Sequence, residues 1–406
     1  MNNRLGLLGC SLFLLATLTA CSGGGGGSSS TAAPPPANGN GSDSPPPTNN
    51  NATGFAYVAH IDARAFSAFT INATTGALSE VAGSPFAVDP WYPGSLYITV
   101  HPSGKFVYVV NNRLGTEGPH QPSTVSAYAI NASTGALSEV AGSPFTAGDD
   151  ANCLKIDPSG KFAYVTNSVS RNVSAYAINA TTGALSEIAG SPFAVGNTTT
   201  ASMAIHPSGK FAYLANYGNP GTITAYAINA ATGALTSIGT TAGAILPLAI
   251  TVDPSGKFAY LTDRGELSTI FGGVLAYKIN ATTGALSQVT GSPLVEGRGP
   301  QSVAVDPSGK FAYVAHPGGV VSAFTINATT GAWSEIAGSP YAAGSSPLFV
   351  TVDDSGRFVY VINSNGNSNG VFGFTINTTT GELSSPGELA TFNNSVTYIT
   401  ANRRSQ

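Results

Sequence analysis

The sequence predicts an all-β fold, a seven-bladed β-propeller with four antiparallel strands in each blade, closed by the C-terminal strand joining the first blade. Three observations predict this fold. From residue 54 onward the chain repeats a pattern of about 50 residues, a period that is typical of propeller blades. Glycine (49) and proline (26) are abundant, as in chains with many turns. The C-terminal segment also resembles a strand that the first repeat lacks.

One copy of the repeat shows how four strands arise. An apolar strand A ends at Asp157, and the turn 158–160 follows, in which proline presets φ and glycine takes the left-handed position. Strand B covers 162–167, and strand C, around 173–179, alternates in polarity with period two. A second turn at 179–183 leads into strand D.

The copies number seven, because strand B begins with phenylalanine at Phe55, Phe106, Phe162, Phe211, Phe258, Phe311 and Phe358. The A–B turn occurs only six times, since the first copy has no strand A. Residues 398–402 match residues 97–101, which form a strand A, so the C-terminus is expected to complete the first blade. Closing the ring in this way removes the exposed blade faces.

The residues before the propeller predict export. Arg4 precedes a short apolar run that is too short to span a bilayer. The run ends in Leu18-Thr19-Ala20-Cys21, which resembles the lipobox of bacterial lipoproteins and implies cleavage before Cys21 and acylation of that residue. An ordinary secretory signal is the alternative. The chain is therefore divided into a lipoprotein signal peptide (1–20), a lipidated cysteine with its tether (21–53) and the propeller (54–406).

The segment Ser22–Thr53 is rich in glycine, serine, proline and asparagine and holds one charge, Asp43, a composition that buries no core and predicts an extended or coiled tether. Ser22 after the acylated cysteine favours the outer membrane. We expect a lipid-anchored protein of the cell envelope that faces the periplasm or the cell surface. Cys153 is then the one cysteine left, which excludes an intramolecular disulfide and a cysteine-type zinc site.

Composition excludes several classes of partner. Charged residues make up 9% of the chain and the formal net charge is −4, so no excess of lysine and arginine is present to bind nucleic acid. The same balance argues against a polybasic membrane-surface protein, and we expect membrane contact through the lipid anchor only. No cofactor and no metal is expected, since histidines are few and form no ligand-spaced cluster. The expected state is a monomer that binds an anionic small molecule or a cell-envelope component.

A resemblance to a known family is carried by the end of strand B. Tyr164-Val165-Thr166-Asn167 is the signature of the YVTN-repeat propellers, and variants of it stand at 108–111, 213–216 and 360–363. The whole ring is similar to the seven-bladed lactonase family, which includes bacterial 6-phosphogluconolactonases and carboxymuconate lactonising enzymes. The resemblance implies a propeller and raises lactone hydrolysis as an expectation. No pattern corresponds to the family's catalytic positions, so no residue role is transferred.

Strand order fixes which loops share an end of the ring. The A–B and C–D turns lie together at one end and are nearly identical in every copy; we call it the uniform end. The B–C loops and the D–A connections form the other, varied end, where specific recognition is expected. Five arginines fall at the varied end and are candidates for binding carboxylate or phosphate: Arg64, Arg113, Arg171, Arg264 and Arg298. A solvated rim of mixed charge is the alternative.

Two histidines replace the asparagine that ends strand B in other copies. His60 and His316 are candidates for a general base acting on a water that attacks a lactone carbonyl, and Glu266 is a further candidate. The alternative is that each histidine is a hydrogen-bonding residue at the loop end. His101 and His206 replace the aspartate of the uniform turns and are interpreted as structural.

Lys155 is the one charged residue at its position in strand A, where the other copies carry Thr99, Ala204, Thr251, Ala304, Thr351 and Thr400. Because strands A border the channel, its ammonium is either a ligand contact or a snorkelling charge. A ring of cations at the uniform end is interpreted as solubility charges, with contact to acidic surface polymers as the alternative: Lys105, Lys161, Lys210, Lys257, Lys310 and Arg357.

Two functions remain open. The main prediction is a membrane-anchored, exported propeller with a binding or scaffolding role, because the near-identity of the copies leaves few positions for chemistry. The alternative is a lactone hydrolase, similar to 6-phosphogluconolactonase, that acts on an anionic sugar or muconate-type lactone.

Overall fold

A computed structural model of the chain describes residues 52–61, 63–88, 96–112, 122–196, 199–218, 220–266, 270–296, 299–364 and 369–403. Seven small antiparallel sheets form a ring, as predicted, and the described residues contain no helix. No helical segment in these ranges is long and apolar enough to cross a bilayer. The predicted signal peptide and residues 21–51 of the predicted tether lie outside the described residues, whereas residues 52 and 53 belong to the first strand.

Each blade is given from its innermost strand A outwards. Blade 1 consists of Val396–Arg403, Ala52–His60, Ala65–Asn72, Leu78–Glu80 and Phe86–Ala87. Blade 2 consists of Leu96–Val100, Phe106–Asn111, Thr124–Ile130, Leu137–Glu139 and Phe145–Thr146. Blade 3 consists of Ala151–Ile156, Phe162–Asn167, Asn172–Ile178, Leu185–Glu187 and Phe193–Ala194. Blades 4 and 5 consist of Thr199–Ile205, Phe211–Tyr217, Thr222–Ile228 and Leu235–Ala242; and Pro247–Val252, Phe258–Asp263, Gly273–Ile279, Leu286–Gln288 and Val295–Glu296. Blades 6 and 7 consist of Ser302–Val305, Phe311–His316, Val320–Ile326, Trp333–Glu335 and Tyr341–Ala342; and Pro347–Val352, Phe358–Asn363, Asn369–Ile376 and Leu383–Phe392.

Strand D is continuous in blades 4 and 7 but is split into two short segments in the other five blades. The interruption is an Ala-Gly-Ser-Pro or Thr-Gly-Ser-Pro segment whose serine bonds to strand C. In blade 3 the Ser191 hydroxyl accepts the backbone N–H of Ala175 at 2.9 Å. The B–C loop of blade 5 adds a small hairpin of Gly265–Glu266 and Ile270–Phe271.

The C-terminal strand closes the ring as predicted. Val396–Arg403 pairs antiparallel with Ala52–His60, with Ile399 opposite Val58 and Arg403 opposite Gly54. Ile399 is fully buried, so this strand completes the core of blade 1 and forms the innermost strand of that blade.

Each blade is fastened to the next by an aromatic pair from strand B. In blades 2 to 7 a buried tyrosine hydroxyl donates to the carbonyl of the glycine in the next C–D turn, as Tyr164 does to Gly233 at 2.8 Å. The strand-B phenylalanine packs beneath the same glycine, so that a Cβ at Gly183 would stand 2.5 Å from Cδ1 of Phe106. The pairs run around the whole ring and join Phe55 to Gly135, Phe106 to Gly183, Phe162 to Gly233, Phe211 to Gly284, Phe258 to Gly331, Phe311 to Gly381 and Phe358 to Gly76.

Each A–B turn begins with an aspartate or a histidine whose side chain makes the hydrogen bonds that hold the turn. The Asp157 carboxylate accepts the N–H groups of Ser159 (3.0 Å) and Phe162 (2.7 Å), which fixes the turn. Where His101 stands instead, Nδ1 accepts the N–H of Ser103 at 3.0 Å and Nε2 donates to the carbonyl of Gly160 in the next blade at 2.8 Å. His206 makes the equivalent contacts, so both histidines have the structural role that the sequence predicts.

Candidate functional site

The polar side chain near the end of strand B makes hydrogen bonds that hold neighbouring segments together at the varied end. The Asn167 side chain accepts the N–H of Gly148 in the preceding connection (3.1 Å) and donates to Ser174 on strand C (2.9 Å). The Asp263 carboxylate of blade 5 accepts the N–H groups of Ile245 (2.9 Å) and Leu246 (2.8 Å). The residue at this position therefore joins strand C or the D–A connection to strand B.

His60 occupies the same position in blade 1. Its side chain is 4% exposed, and Nε2 lies 2.9 Å from the hydroxyl of Ser67 on strand C. Burial lowers the pKa of His60 from 6.5 to about 4, so the imidazole is neutral at pH 7. The edge of the ring meets Phe392, with centroids 4.6 Å apart. These contacts support the alternative of a loop-end hydrogen-bonding residue over that of a general base.

His316 ends strand B of blade 6 and is 1% exposed. Its carbonyl accepts the N–H of Gly319 in the short loop that follows, at 3.3 Å. Both candidate histidines are thus enclosed within their blades. The side chain of Glu266, the third candidate for acid–base chemistry, lies outside the described residues.

The structure places three of the five candidate arginines at the varied end, in separate B–C loops. Arg64 follows strand B of blade 1, Arg171 that of blade 3 and Arg264 that of blade 5. Arg171 is exposed, and the other two are half-buried. One blade separates each from the next, so they are spaced around the rim. Arg113 and Arg298 lie outside the described residues.

Arg64 and Arg171 have left-handed backbones, with φ of 48° and 53°. The carbonyl of each arginine accepts the N–H of the residue that follows the second segment of strand D, Val88 or Val195. In blade 6 the carbonyl that accepts the corresponding N–H belongs to Gly319, which has φ of 84°. A side chain in this conformation costs about 1 kcal/mol relative to glycine. The use of arginine at a position suited to glycine supports a role for these side chains beyond folding.

Lys155 lies on the channel wall within a group that links four blades. Its Nζ donates to the hydroxyl of Tyr97 at 2.5 Å and stands 5.2 Å from the centre of that ring. The Tyr398 hydroxyl also donates to the Tyr97 hydroxyl, at 2.9 Å, and these two rings are 4.0 Å apart. Phe349 packs on Tyr398 at 4.2 Å and ends the row. We call Phe349, Tyr398, Tyr97 and Lys155 the channel cluster.

At the register of Tyr97 the innermost strands of the other blades differ in the size of their side chains. Tyr97, Tyr398 and Phe349 pair with the second-to-last residue of strand B in blades 2, 1 and 7. The same register in blades 3 to 6 holds Cys153, Ser202, Ala249 and Ser302. One side of the channel is therefore aromatic and carries a cation, whereas the opposite side is small.

The sequence predicts Lys155 as a candidate for a ligand contact, but its three aromatic neighbours are not among the predicted site residues. The signal was available, because the position two residues before Thr99, Thr351 and Thr400 is aromatic in these three copies and small in the other four. Lys155 and Arg403 are the charged residues of the described innermost strands, and both lie in the half of their strand nearer the uniform end, where Lys155 pairs with Tyr164 and Arg403 with Gly54. The channel cluster is thus the place on the wall where a cation meets aromatic and hydroxyl groups.

Two buried side-chain hydrogen bonds stabilise the start of strand A in blade 3, the strand that carries Lys155. The Asn112 side chain donates to the Asp150 carboxylate at 2.7 Å, and the Thr166 hydroxyl donates to the Asn152 side chain at 2.5 Å. Burial raises the pKa of Asp150 above its usual value, and the bond from Asn112 opposes this shift. These bonds fix the first residues of this strand, at the varied end. Among the described residues, no three histidine, cysteine, aspartate or glutamate side chains are grouped so as to hold a metal ion.

Comparison with known proteins agrees with this architecture. The family model for the seven-bladed β-propeller lactonases matches residues 47–200, 124–258, 242–342 and 316–406, and no curated protein matches the sequence. The Pseudomonas aeruginosa periplasmic gluconolactonase is similar in structure, with a TM-score of 0.65 at 17% identity over 86% of this chain and 99% of its own.

A Bacteroides fragilis protein that carries the provisional name 6-phosphogluconolactonase is also similar. Its TM-score is 0.68 at 20% identity, over 88% of this chain and 99% of its own. At these identities the structural likeness establishes the fold. Because the family model covers the ring from end to end, the chain belongs to the lactonase family of seven-bladed β-propellers.

Proposed function

We propose that this protein hydrolyses a lactone of a hydroxylated acid, such as a sugar-acid lactone, in its central channel. The observation that carries the proposal is the channel cluster, a lysine ammonium beside two phenol hydroxyls on the channel wall of a lactonase-family ring. This is the alternative function of the sequence analysis, and family membership supports it better than a scaffolding role.

The channel cluster suits a small, oxygen-rich ligand. Lys155 offers a cation to a carboxylate or to a carbonyl oxygen. The hydroxyls of Tyr97 and Tyr398 offer hydrogen bonds to ligand hydroxyls, and the row of stacked rings offers its edges to the C–H groups of a sugar ring.

The reaction needs stabilisation of negative charge on one oxygen. Water adds to the lactone carbonyl carbon, and the carbonyl oxygen becomes an oxyanion that the Lys155 ammonium stabilises. The ring C–O bond then breaks, and its oxygen leaves as a hydroxyl group with one proton of the added water. The product is a hydroxy acid, which releases one proton to solvent as it ionises. The same ammonium then faces the new carboxylate.

Predicted export favours an unphosphorylated lactone. 6-Phosphogluconolactone is a cytoplasmic metabolite, whereas a lipid-anchored envelope protein meets lactones outside the cytoplasm. The name of the Pseudomonas aeruginosa relative, a periplasmic gluconolactonase, supports the same choice.

The test is a hydrolysis assay on the mature chain with a panel of sugar-acid and muconate-type lactones, followed by proton release in weak buffer. We expect turnover above the buffer rate and a loss of about 100-fold in kcat/KM for Lys155→Met. Lys161→Met is the matched control, because Lys161 is exposed in the neighbouring A–B turn and should leave kcat/KM unchanged. A folded protein without turnover, or equal activity in Lys155→Met, would contradict the proposal.

A further inference from the structure

Both ends of the propeller chain lie at the uniform end of the ring. Strand B of blade 1 begins at Ala52, which pairs with Asn72 at the start of a C–D turn. Strand A of the same blade ends at Arg403, opposite Gly54. The segment that carries the predicted tether and Cys21 therefore joins the ring at the uniform end, and the varied end lies on the far side.

The uniform end carries exposed cations around almost the whole ring. Each follows the glycine of an A–B turn and directly precedes the strand-B phenylalanine: Lys105, Lys161, Lys210, Lys257, Lys310 and Arg357. In blade 1 the corresponding residue is Gly54, where the tether segment enters. The backbone N–H of Lys310 donates to Asp306 at 2.8 Å, and that of Arg357 donates to Asp353 at 3.0 Å. The turns thus hold the cations at one level while their side chains reach solvent. We call them the cation ring.

Few exposed acids stand in the turns that hold the cation ring, and four exposed glutamates follow the C–D turns on strand D: Glu80, Glu139, Glu187 and Glu335. The turn aspartates of blades 3, 5, 6 and 7 are buried, and their carboxylates bind N–H and hydroxyl groups of their own turns. In the described A–B and C–D turns, the exposed acids are Asp354 and Glu382, both in blade 7. The net charge of −4 argued against a membrane-binding surface, but the fold gathers six exposed cations in the A–B turns of one end.

We propose that the cation ring rests on the anionic lipid surface to which the acylated Cys21 attaches the protein. A tether with the composition of residues 22–53 has a root-mean-square length of about 30 Å, which keeps the ring close to its membrane. Each lysine or arginine near an anionic surface adds a small attraction, and six held in one plane act together. In this orientation the varied end, at which the strand A that carries Tyr97 begins, faces away from the membrane, towards diffusing substrate.

The inference rests on the predicted lipid anchor and not on lactone hydrolysis, so either can fail alone. The test begins with the mass of the Cys21 peptide from the native envelope, where an unacylated cysteine would overturn the proposal. The acylated full-length mature protein is then placed in vesicles of phosphatidylcholine alone or with about a third phosphatidylglycerol. A membrane-impermeant amine reagent labels the lysines, which are counted by peptide mass spectrometry.

A lysine introduced by Val169→Lys reports on the varied end, because Val169 is 49% exposed in the B–C loop of blade 3. We expect the five ring lysines to be labelled about fivefold less on the anionic vesicles than on the neutral ones, with no change at position 169. The difference should disappear in 0.5 M salt, at a Debye length of about 4 Å. Equal labelling on both vesicles, or equal protection at both ends, would overturn the proposal. If a soluble sulfated glycan protected the ring lysines from labelling and anionic vesicles did not, the proposal that lipid occupies this surface would be overturned.

Discussion

The two ends of the ring differ in how strictly the blades repeat the same residues. At the uniform end every blade makes the same contact, a phenylalanine beneath the glycine of the next blade. At the varied end the residue five positions after the strand-B phenylalanine is asparagine in four blades, aspartate in one and histidine in two. The contact that repeats identically from blade to blade therefore lies near the uniform end. This arrangement leaves the varied end and the channel wall free to carry Lys155 and its aromatic neighbours.

The largest effect is expected from a substitution that breaks the uniform end. Gly183→Ala places a Cβ 2.5 Å from Phe106 at a residue with φ of 76°. The left-handed backbone and the overpacking together should lower the free energy of unfolding by about 3 kcal/mol, measured by denaturant titration.

Two control glycines at the varied end separate the causes. Gly196 has φ of 83° and open space around it, so Gly196→Ala should cost about 1 kcal/mol from the backbone alone. Gly318 has open space and no positive φ, so Gly318→Ala should change stability by less than about 0.5 kcal/mol. Equal losses in all three variants would refute the importance of the phenylalanine–glycine contact.

An intermediate, pH-dependent effect is expected at the varied end. The pKa of His60 falls from 6.5 to about 4 on folding, so the unfolded chain binds a proton in a range where the native protein does not. Its stabilising contribution is complete above pH 6.5 and is lost as the pH falls towards 4, by roughly 3 kcal/mol. His60→Asn should keep a bond to Ser67, as Asn167 does to Ser174, and remove this loss.

The measurement is the free energy of unfolding of both proteins between pH 7 and pH 4. We expect the two curves to diverge below pH 6.5, with the variant falling less steeply. The comparison isolates His60 from Asp150, whose raised pKa acts in the opposite direction in both proteins. Parallel curves would show that His60 is not the neutral, buried group described here.

The smallest effect compares one tyrosine with its counterpart in another blade. The Tyr164 hydroxyl donates to Gly233 at 2.8 Å, whereas the Tyr57 hydroxyl is buried with no hydrogen-bond partner. Tyr164→Phe should lower the free energy of unfolding by about 1–2 kcal/mol, because a buried carbonyl loses its donor. Tyr57→Phe should leave it unchanged or raise it slightly. Similar losses in the two variants would contradict this difference between blades.

The sequence predicts the ring well because its determinants are local. The turn chemistry around Asp157 and Asn179 lies within a few residues and repeats, so the strands, their number and the closing strand can be read directly. The contact of Lys155 with Tyr97 spans 58 residues and that of Tyr97 with Tyr398 spans 301, and neither pattern alone shows which side chains meet. The buried state of His60 likewise depends on Phe392, which comes from a distant strand.

The account is tested most directly by the position of a bound sugar acid, the open-chain product of the proposed reaction. A crystal structure of the protein with such an acid should place its carboxylate about 3 Å from the Nζ of Lys155, with the carbon chain against the rings of Tyr97 and Tyr398. An acid bound at the rim beside Arg64 or Arg171, with the channel cluster unchanged and unoccupied, would contradict the account.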